Sequence, residues 1–241
     1  MLDGLKRLFG GHGGHPEDWG GITPWVESRQ FTFRSVHNEG FVVDGRLGSA
    51  PWRLEWGPSQ RPYIQGQELR IRAELGLNAD LQLVVMNRVL QEQMEKDVFD
   101  QYVEGVQTRI DNQTPPEMRW LVMFPKLAGA EMPELRERFM ALSSGKTWLL
   151  QWLQGPLTQA LAAVSADPTT PVVLMIGRGR LMLRTALPEV DLAALQAWLR
   201  LFESAMREAR RVASDNGDPQ TASSPPSMWS SSALPGDERQ K

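Results

Sequence analysis

Alternating apolar and polar positions mark much of the first hundred residues as short strands. Within 68–74, Leu69, Ile71 and Ala73 alternate with charged residues, which is typical of a strand with one buried and one wet face. Similar patterns predict further strands at 30–35, 41–43, 52–56 and 81–86. Their close spacing favours antiparallel hairpins, because a parallel crossover needs a dozen or more residues.

The second half of the chain mixes helical and strand periods. Apolar residues at helical spacing predict a helix from about residue 87 and further helical runs over 133–142 and 147–164. The last run should break at Gly155-Pro156, because proline removes a hydrogen bond and clashes with the preceding turn. The dense apolar run 118–124 predicts a buried strand. A hairpin is predicted from 172–176 and 181–185 around a turn at 177–179.

The final helix has the strongest pattern. Asp191 can cap its first turn, and its apolar face consists of Leu192, Leu195, Leu199, Phe202, Met206, Ala209 and Val212. Taken together, these patterns predict an α+β fold. Antiparallel sheet, or sheets, from short N-terminal strands should pack with helices concentrated in the C-terminal half, and the fold should end in a long amphipathic helix.

Composition divides the chain into three zones. Residues 1–21 form a short amphipathic segment followed by a Gly/His-rich linker. Residues 22–213 carry the strong periodicity and predict one compact α+β domain, with a division into two subdomains near 115 as an alternative. Residues 214–241 are rich in Ser, Pro, Asp and Gly, so we expect a disordered tail that buries too little apolar surface to order itself.

Charge and cysteine usage narrow the function classes. The 241 residues carry a formal net charge of −3 and include no cysteine. A chain without a basic stripe is a poor candidate for nucleic-acid binding, and thiolate metal sites and disulfides are excluded. Residues 1–10 (MLDGLKRLFG) lack the uninterrupted apolar stretch of about 7 residues that a signal peptide needs. We therefore expect a cytoplasmic protein.

Three segments carry a resemblance to known sequences. They are 45–75 (GRLGSAPWRLEWGPSQRPYIQGQELRIRAEL), 118–126 (MRWLVMFPK) and 176–203 (IGRGRLMLRTALPEVDLAALQAWLRLFE). Over most of residues 1–213 the chain resembles a family of uncharacterised bacterial proteins with no assigned activity. The resemblance implies that 22–213 is one evolutionary unit with the tail as an appendage. It implies no cofactor, substrate or site residue.

Two motifs suggest ligand chemistry but lack its requirements. Ser144-Gly145-Lys146-Thr147 is similar to the end of a phosphate-binding loop, yet Met140 stands where the first glycine belongs and the preceding segment is predicted to be helical. We interpret it as a turn between two helices, with Ser143 or Ser144 as a cap. The metal-ligand types His12, His15, Glu17 and Asp18 lie in a glycine-rich stretch that preorganises nothing, and His37 falls in a predicted surface turn. We therefore predict no metal and no cofactor.

Arginines supply the candidate anion contacts. Arg178 and Arg180 alternate with Gly177 and Gly179 at the predicted hairpin tip, where backbone amides and guanidinium groups could hold a phosphate or carboxylate. The alternative is a soluble turn in which glycines supply positive φ. Arg61, in a Pro- and Gly-rich loop, is a third possible anion or partner contact.

Nine tryptophans against two tyrosines are the compositional oddity. Trp52 and Trp56 lie on one face of a predicted strand, with Trp25 upstream and Tyr63 in the following loop. Core packing is the default interpretation for large aromatics. The alternative is a partner-binding face, because Trp, Tyr and Arg are favoured interface anchors.

These patterns leave three function classes open. The first is a non-catalytic protein-binding or adaptor domain whose partner is another protein. The second is a small-ligand module or enzyme with an arginine-lined anion site that includes Arg178, Arg180, Arg61 and Glu68. The third is a peripheral membrane protein that makes a weak contact through residues 1–10. Oligomeric state does not follow from the sequence.

Overall fold

The computed structural model describes residues 21–36, 40–103 and 114–217. Within these ranges the chain forms an eight-stranded sheet flanked by six α-helices. In chain order the elements are α1 (Ile22–Ser28), β1 (Thr32–Val36), β2 (Gly40–Leu47), β3 (Ala50–Pro58), β4 (Gln67–Glu74), β5 (Leu83–Asn87), α2 (Arg88–Val103), α3 (Pro116–Met123), a 3-10 helix (Gly129–Glu131), β6 (Phe139–Ser143), α4 (Lys146–Trp152), α5 (Pro156–Ala162), β7 (Val172–Gly177), β8 (Arg180–Ala186) and α6 (Leu192–Asp215).

Every strand pairing is antiparallel, and the strand order is β1-β2-β3-β4-β8-β7-β5-β6. The predicted α+β class is confirmed. Strand β4 pairs with β8, and β5 lies between β7 and β6. The sheet therefore joins strands from both sides of residue 115 and runs without interruption across the suggested subdomain boundary.

One side of the sheet carries the larger core. Alternate strand residues such as Leu54, Ile71 and Leu183 are buried there under α1, α4, α5 and α6. Asp191 caps α6 as predicted, because its carboxylate accepts hydrogen bonds from the backbone N–H groups of Ala193 and Ala194. Such a cap stabilises a helix by about 1 kcal/mol. The predicted break is also present, since α4 ends at Trp152 and α5 begins at Pro156.

The opposite side of the sheet carries a smaller core over β5, β6 and β7. Helices α2 and α3 cover it, and Met94 and Trp120 pack on strand residues such as Met86 and Val173. Helix α3 packs closely on Gly177 at the end of β7, because a Cβ there would lie 2.7 Å from the Trp120 ring. A glycine is therefore required for this helix to approach the sheet so closely.

Two predicted elements were wrong: a predicted strand is a helix, and part of a predicted helix is a strand. Residues 118–124, expected as a buried strand, lie mainly in α3, where Val122 and Met123 are 65% and 60% exposed. Residues 139–142, expected within a helix, belong to β6, in which all five residues are buried. A short apolar run does not distinguish a helix from a fully buried strand. Strand β6 has core on both sides, so its residues show no alternation.

Helix α1 is an element that the sequence patterns did not predict. It buries Ile22, Trp25 and Val26 at helical spacing against the larger core. At seven residues it is too short to be stable alone and depends on this packing. None of the helices in the described ranges has the length and apolar character needed to cross a membrane.

Candidate ligand-binding site

Helices α2 and α3 cover one side of the sheet over β5–β7. On the same side, strands β1–β4 and β8 carry charged side chains. Side chains alternate between the two faces of a strand, so Arg70 and Arg72 face away from the larger core while Leu69 and Ile71 face into it. We call the charged region the arginine face. It consists of Arg34, Asp44, Arg53, Glu55, Glu68, Arg70, Arg72, Glu74, Arg180 and Arg184.

Carboxylates on the arginine face are shared between arginines. Asp44 accepts from Arg34 Nη2 at 3.0 Å and from Arg53 Nε at 2.7 Å. Likewise, Glu55 lies 3.3 Å from Arg70 Nε and 2.9 Å from Arg72 Nη2. Six arginines thus face four carboxylates, which leaves an excess of two positive charges on this face. The whole chain has the opposite sign, −3, so its charge is distributed unevenly.

Glu68 occupies the buried margin of the arginine face. Its side chain is fully buried, and its Oε1 lies 2.5 Å from Nη1 of Arg184, which is 6% exposed. The other oxygen accepts from the Gln60 backbone N–H at 2.9 Å and lies 3.3 Å from Arg70 Nη1. Both oxygens therefore have partners, as a buried carboxylate requires.

A second buried carboxylate, Glu117 at the start of α3, receives two side chains from the 58–66 loop. Arg61 Nε donates to its Oε1 at 2.6 Å, and the Tyr63 hydroxyl donates to the same oxygen. Oε2 is buried and has no hydrogen-bond partner among the described residues. These contacts attach the loop to α3.

Electrostatics reinforce this attachment. Burial, together with the charge and hydrogen bond of Glu117, raises the pKa of Tyr63 well above its ordinary value. Burial lowers the pKa of Arg61, but the nearby Glu117, Tyr63 and Glu68 outweigh it and the net shift is upward. Tyr63 therefore stays a hydrogen-bond donor and Arg61 stays a cation. We call Arg61, Tyr63, Glu68, Glu117 and Arg184 the seam: Glu68 and Arg184 are the buried margin of the arginine face, and the other three join that margin to α3.

A cleft of about 470 Å³ lies beside the arginine face, where β1 begins. Arg29 and Phe31 line it from the turn before β1, and Arg46 lines it from β2. Arg29 and Arg46 are exposed, and neither forms an ion pair within the described residues. This volume lies within the usual range of about 300–1,000 Å³ for ligand pockets. The cleft can accept an anionic group without first breaking an ion pair.

The buried Trp52 ring lies directly behind the cleft and depends on a glycine in the neighbouring strand. Gly45 pairs with Trp52 across β2 and β3, and a Cβ at Gly45 would lie 2.2 Å from Cζ2 of the Trp52 ring. Phe31 meets the same ring edge-to-face with centroids 4.8 Å apart. A larger residue at position 45 would displace the tryptophan, so this glycine shapes the cleft.

The arginines predicted at the hairpin tip lie apart from the seam and the cleft. Arg178 and Gly179 form the turn with φ of 53° and 76°, as a two-residue hairpin of this twist requires. Arg180 is ion-paired with Glu74 at 2.5 Å. The two glycines do not form an open anion-binding loop, because Gly177 packs against Trp120 and Gly179 against Leu77. Arg61, by contrast, joins Glu68 in the seam.

The aromatic residues considered for a partner face lie within the molecule. Trp25 and Trp52 are 8% and 1% exposed. Trp56 is half-buried and donates its indole N–H to Leu187 O at 2.8 Å, and half-buried Tyr63 binds Glu117. Their apolar area packs in the core or under the loop, so these rings do not form an exposed docking surface.

The segment similar to a phosphate-binding loop has a different context from the predicted one. A strand, β6, precedes it and α4 follows, so the expectation of a turn between two helices was wrong. Met140 still occupies the place of the first glycine, within β6 and 4% exposed. Lys146 is ion-paired with Glu131 at 2.7 Å, and Gly145, rather than a serine, is the helix cap. These features do not form a phosphate cradle.

Several predictions lie outside the described residues. They are the amphipathic segment and linker, with His12, His15, Glu17 and Asp18, the turn at His37, and the part of the predicted tail beyond residue 217. The predicted start of the tail at residue 214 was wrong, because α6 continues to Asp215. Within the described part of the chain, no group of three or more His, Cys, Asp or Glu side chains is placed to hold a metal ion.

Sequence patterns missed the residues that the structure gathers around the cleft and in the seam. Arg29 and Arg46 carry no local motif, and Glu117 becomes buried only because α3 docks on the sheet. The alternation in β4 was the one available signal, since it predicted a wet face with Arg70 and Arg72 on it. The partners of that face come from segments far apart in sequence.

Comparisons with known proteins give little further guidance. No protein-family model matches the chain, and no curated protein matches it. Among solved structures, the mycobacterial trehalose monomycolate transport factor A, TtfA, is similar at 8% identity with a TM-score of 0.44. The match covers 79% of this chain and 90% of that one. Because the TM-score is below 0.5, this likeness supports no statement about the present chain.

Proposed function

We propose that this chain is a binding protein that engages an acidic surface of another protein through its arginine face and the adjoining cleft. The observation that carries the proposal is the excess of arginine over carboxylate on the ion-paired part of this side of the sheet, beside the α2–α3 core and next to exposed Arg29 and Arg46. Arginine forks recognise carboxylates in two-point contacts, and arginine is enriched at interface centres.

The first step of the test identifies the partner. The tagged full chain is purified from its native cells, and co-purifying proteins and small molecules are identified by mass spectrometry. The affinity of the recovered partner is then measured for the parent chain and for the double variant Arg29→Glu/Arg46→Glu. We expect at least a tenfold loss, because charge reversal repels an acidic partner.

A matched control keeps the change in net charge constant. Arg200→Glu/Arg207→Glu alters two exposed positions on α6, on the opposite side of the sheet, and should leave the affinity within about twofold. Salt should weaken the parent complex and the control complex alike, because exposed charge pairs are screened. Equal partner affinity in the two double variants would show that another surface is used.

The cleft itself supports a second candidate function, the binding of a small carboxylate or phosphate. Its volume of about 470 Å³ suits a small molecule as well as a side chain. A stoichiometric metabolite that co-purifies without a protein, and is lost in Arg29→Glu/Arg46→Glu, would favour this function over the first.

A further inference from the structure

The cleft contains a free strand edge. Pairing between β1 and β2 begins at Thr32, opposite Asp44, whereas β2 continues to Leu47. Gly45, Arg46 and Leu47 pair with β3 on one side, and on the other side no strand of the described residues pairs with them. Gly45 and Leu47 point their backbone groups toward β3, and Leu47 O also lies 3.5 Å from Arg210 Nη1, so Arg46 is the residue that presents its N–H and C=O to the open side. An unpaired strand edge presents backbone N–H and C=O groups and is a template for another extended chain.

The turn before β1 explains why this edge is open. Gln30 adopts φ 56°, and the Phe31 backbone N–H bonds back to Val26 O at 2.9 Å in α1. The chain therefore bends away at the point where a longer β1 would have covered the edge of β2. Gln30 and Phe31 then line the cleft instead of pairing across it.

Charge determines what kind of segment this edge can take. Arg29 and Arg46 are exposed at the cleft and have no ion pair within the described residues. Arg46 Nη2 donates to Ser49 O at 3.0 Å, which orients the side chain and leaves its other donors available. Half-buried Phe31 supplies an apolar contact, and the buried Trp52 ring packs behind it. Carboxylate side chains on an extended peptide complement this combination.

We propose that the cleft takes an extended acidic peptide segment of a partner protein, which adds as a strand to the free edge of β2 in line with β1. Its main chain pairs with the backbone N–H and C=O of Arg46, the outward-pointing residue of this edge, and a carboxylate reaches Arg29 and Arg46. At about 3.3 Å per residue, the three peptide residues that face Gly45–Leu47 span about 10 Å. Strand addition takes affinity from backbone hydrogen bonds and specificity from side-chain contacts. This inference rests on the proposed function and defines its mode of binding.

The experiment uses fluorescently labelled peptides and the full chain. The parent peptide is Val-Glu-Val-Glu-Val with blocked ends. A second peptide has ester bonds in place of its three central amides, which removes backbone donors while keeping shape and charge. The third has lysine in place of glutamate. Binding is measured by fluorescence anisotropy. We expect the ester peptide to bind at least tenfold more weakly than the parent and the lysine peptide not to bind.

Chain variants locate the site. Arg29→Gln/Arg46→Gln should weaken the parent peptide at least tenfold, whereas Arg200→Gln/Arg207→Gln should leave its affinity unchanged. Thermal unfolding temperatures of both variants, compared with the parent chain, check that they are folded. If the cleft variant unfolds early, the single substitutions are measured instead, each with an expected loss of at least threefold.

The outcomes separate this inference from the proposed function. Equal binding of the ester and parent peptides would show recognition by charge alone, which overturns strand addition and leaves the proposed function intact. Parent-peptide affinity unaffected by Arg29→Gln/Arg46→Gln, or no peptide binding while a native partner still depends on these arginines, also overturns the inference alone. Preferential binding of inorganic phosphate or oligo-dT at the same arginines would overturn a peptide as the occupant.

Discussion

Two regions on one side of the same sheet are packed differently: one is apolar and covered by helices, and the other is charged and ion-paired. Over β5, β6 and β7, apolar residues such as Met86 and Val173 are covered by α2 and α3. Over β1–β4 and part of β8, arginines and carboxylates pair with one another instead. The boundary between the two regions falls between the neighbouring strands β7 and β8, where Val173 of β7 lies directly opposite Arg184 of β8.

The comparison shows that the outward positions of the strands determine where the helices dock. An apolar strand face must be buried and so recruits helices, while a face of shared ion pairs is stable in contact with water. The seam lies where the helix-covered and the ion-paired regions meet, and there Glu68 and Glu117 are buried together with their arginine partners. This junction is where substitutions should have the largest effects.

The largest effect is expected from Glu68→Ala in the seam. Arg184 is 6% exposed and would lose its carboxylate partner, and breaking a buried pair on one side costs about 3–5 kcal/mol. The matched control is Glu74→Ala, because its pair with Arg180 is exposed and should contribute about 0–1 kcal/mol. Urea unfolding measures both. Equal losses of stability would contradict the distinction between the buried seam and the exposed part of the arginine face.

A smaller effect is expected from Gly177→Ala under the covered region. The new methyl group would lie 2.7 Å from the Trp120 ring, and overpacking of this kind costs about 1–3 kcal/mol. Gly129→Ala is the control, because its nearest neighbour would be 3.6 Å away, an ordinary contact. Unfolding free energies should differ accordingly. An unchanged stability in Gly177→Ala would mean that α3 is not held closely against β7.

The smallest effect concerns pH at the seam. The pKa of Tyr63 is raised by burial and by Glu117, so above about pH 10 the unfolded chain loses this proton while the folded chain keeps it. The stabilisation is complete below pH 10 and declines as pH rises from there, by about 1.4 kcal/mol per pH unit. The slope should be shallower in Tyr63→Phe. Identical slopes for the two proteins between pH 10 and 11 would contradict the placement of Tyr63.

Much of the fold could be predicted, and the errors have a common cause. The strand at 68–74, the hairpin around residues 177–179 and the final helix all have one wet and one buried face, so their periods are visible. The segments assigned wrongly, α3 and β6, carry dense apolar runs that contain no such alternation. Fully buried elements lose the polar positions that reveal their period.

The candidate site was predicted far less completely. Arg61, Tyr63 and Glu68 were noted in the sequence, but their partners Glu117 and Arg184 lie 54 and more residues away. Arg29 and Arg46 acquire meaning only because β1 begins one residue short of Gly45 in the register with β2. No local pattern records where a neighbouring strand begins.

By itself, the sequence determined the α+β class, the position of the long C-terminal helix, and the fact that strand β4 would have a charged face. These features follow from periodicity within one element, which each segment carries alone. Only the tertiary structure decided which part of the sheet is covered, which carboxylates are buried and where a strand edge stays open. Those features depend on pairing between distant segments, because burial and ion pairing are properties of the assembled sheet.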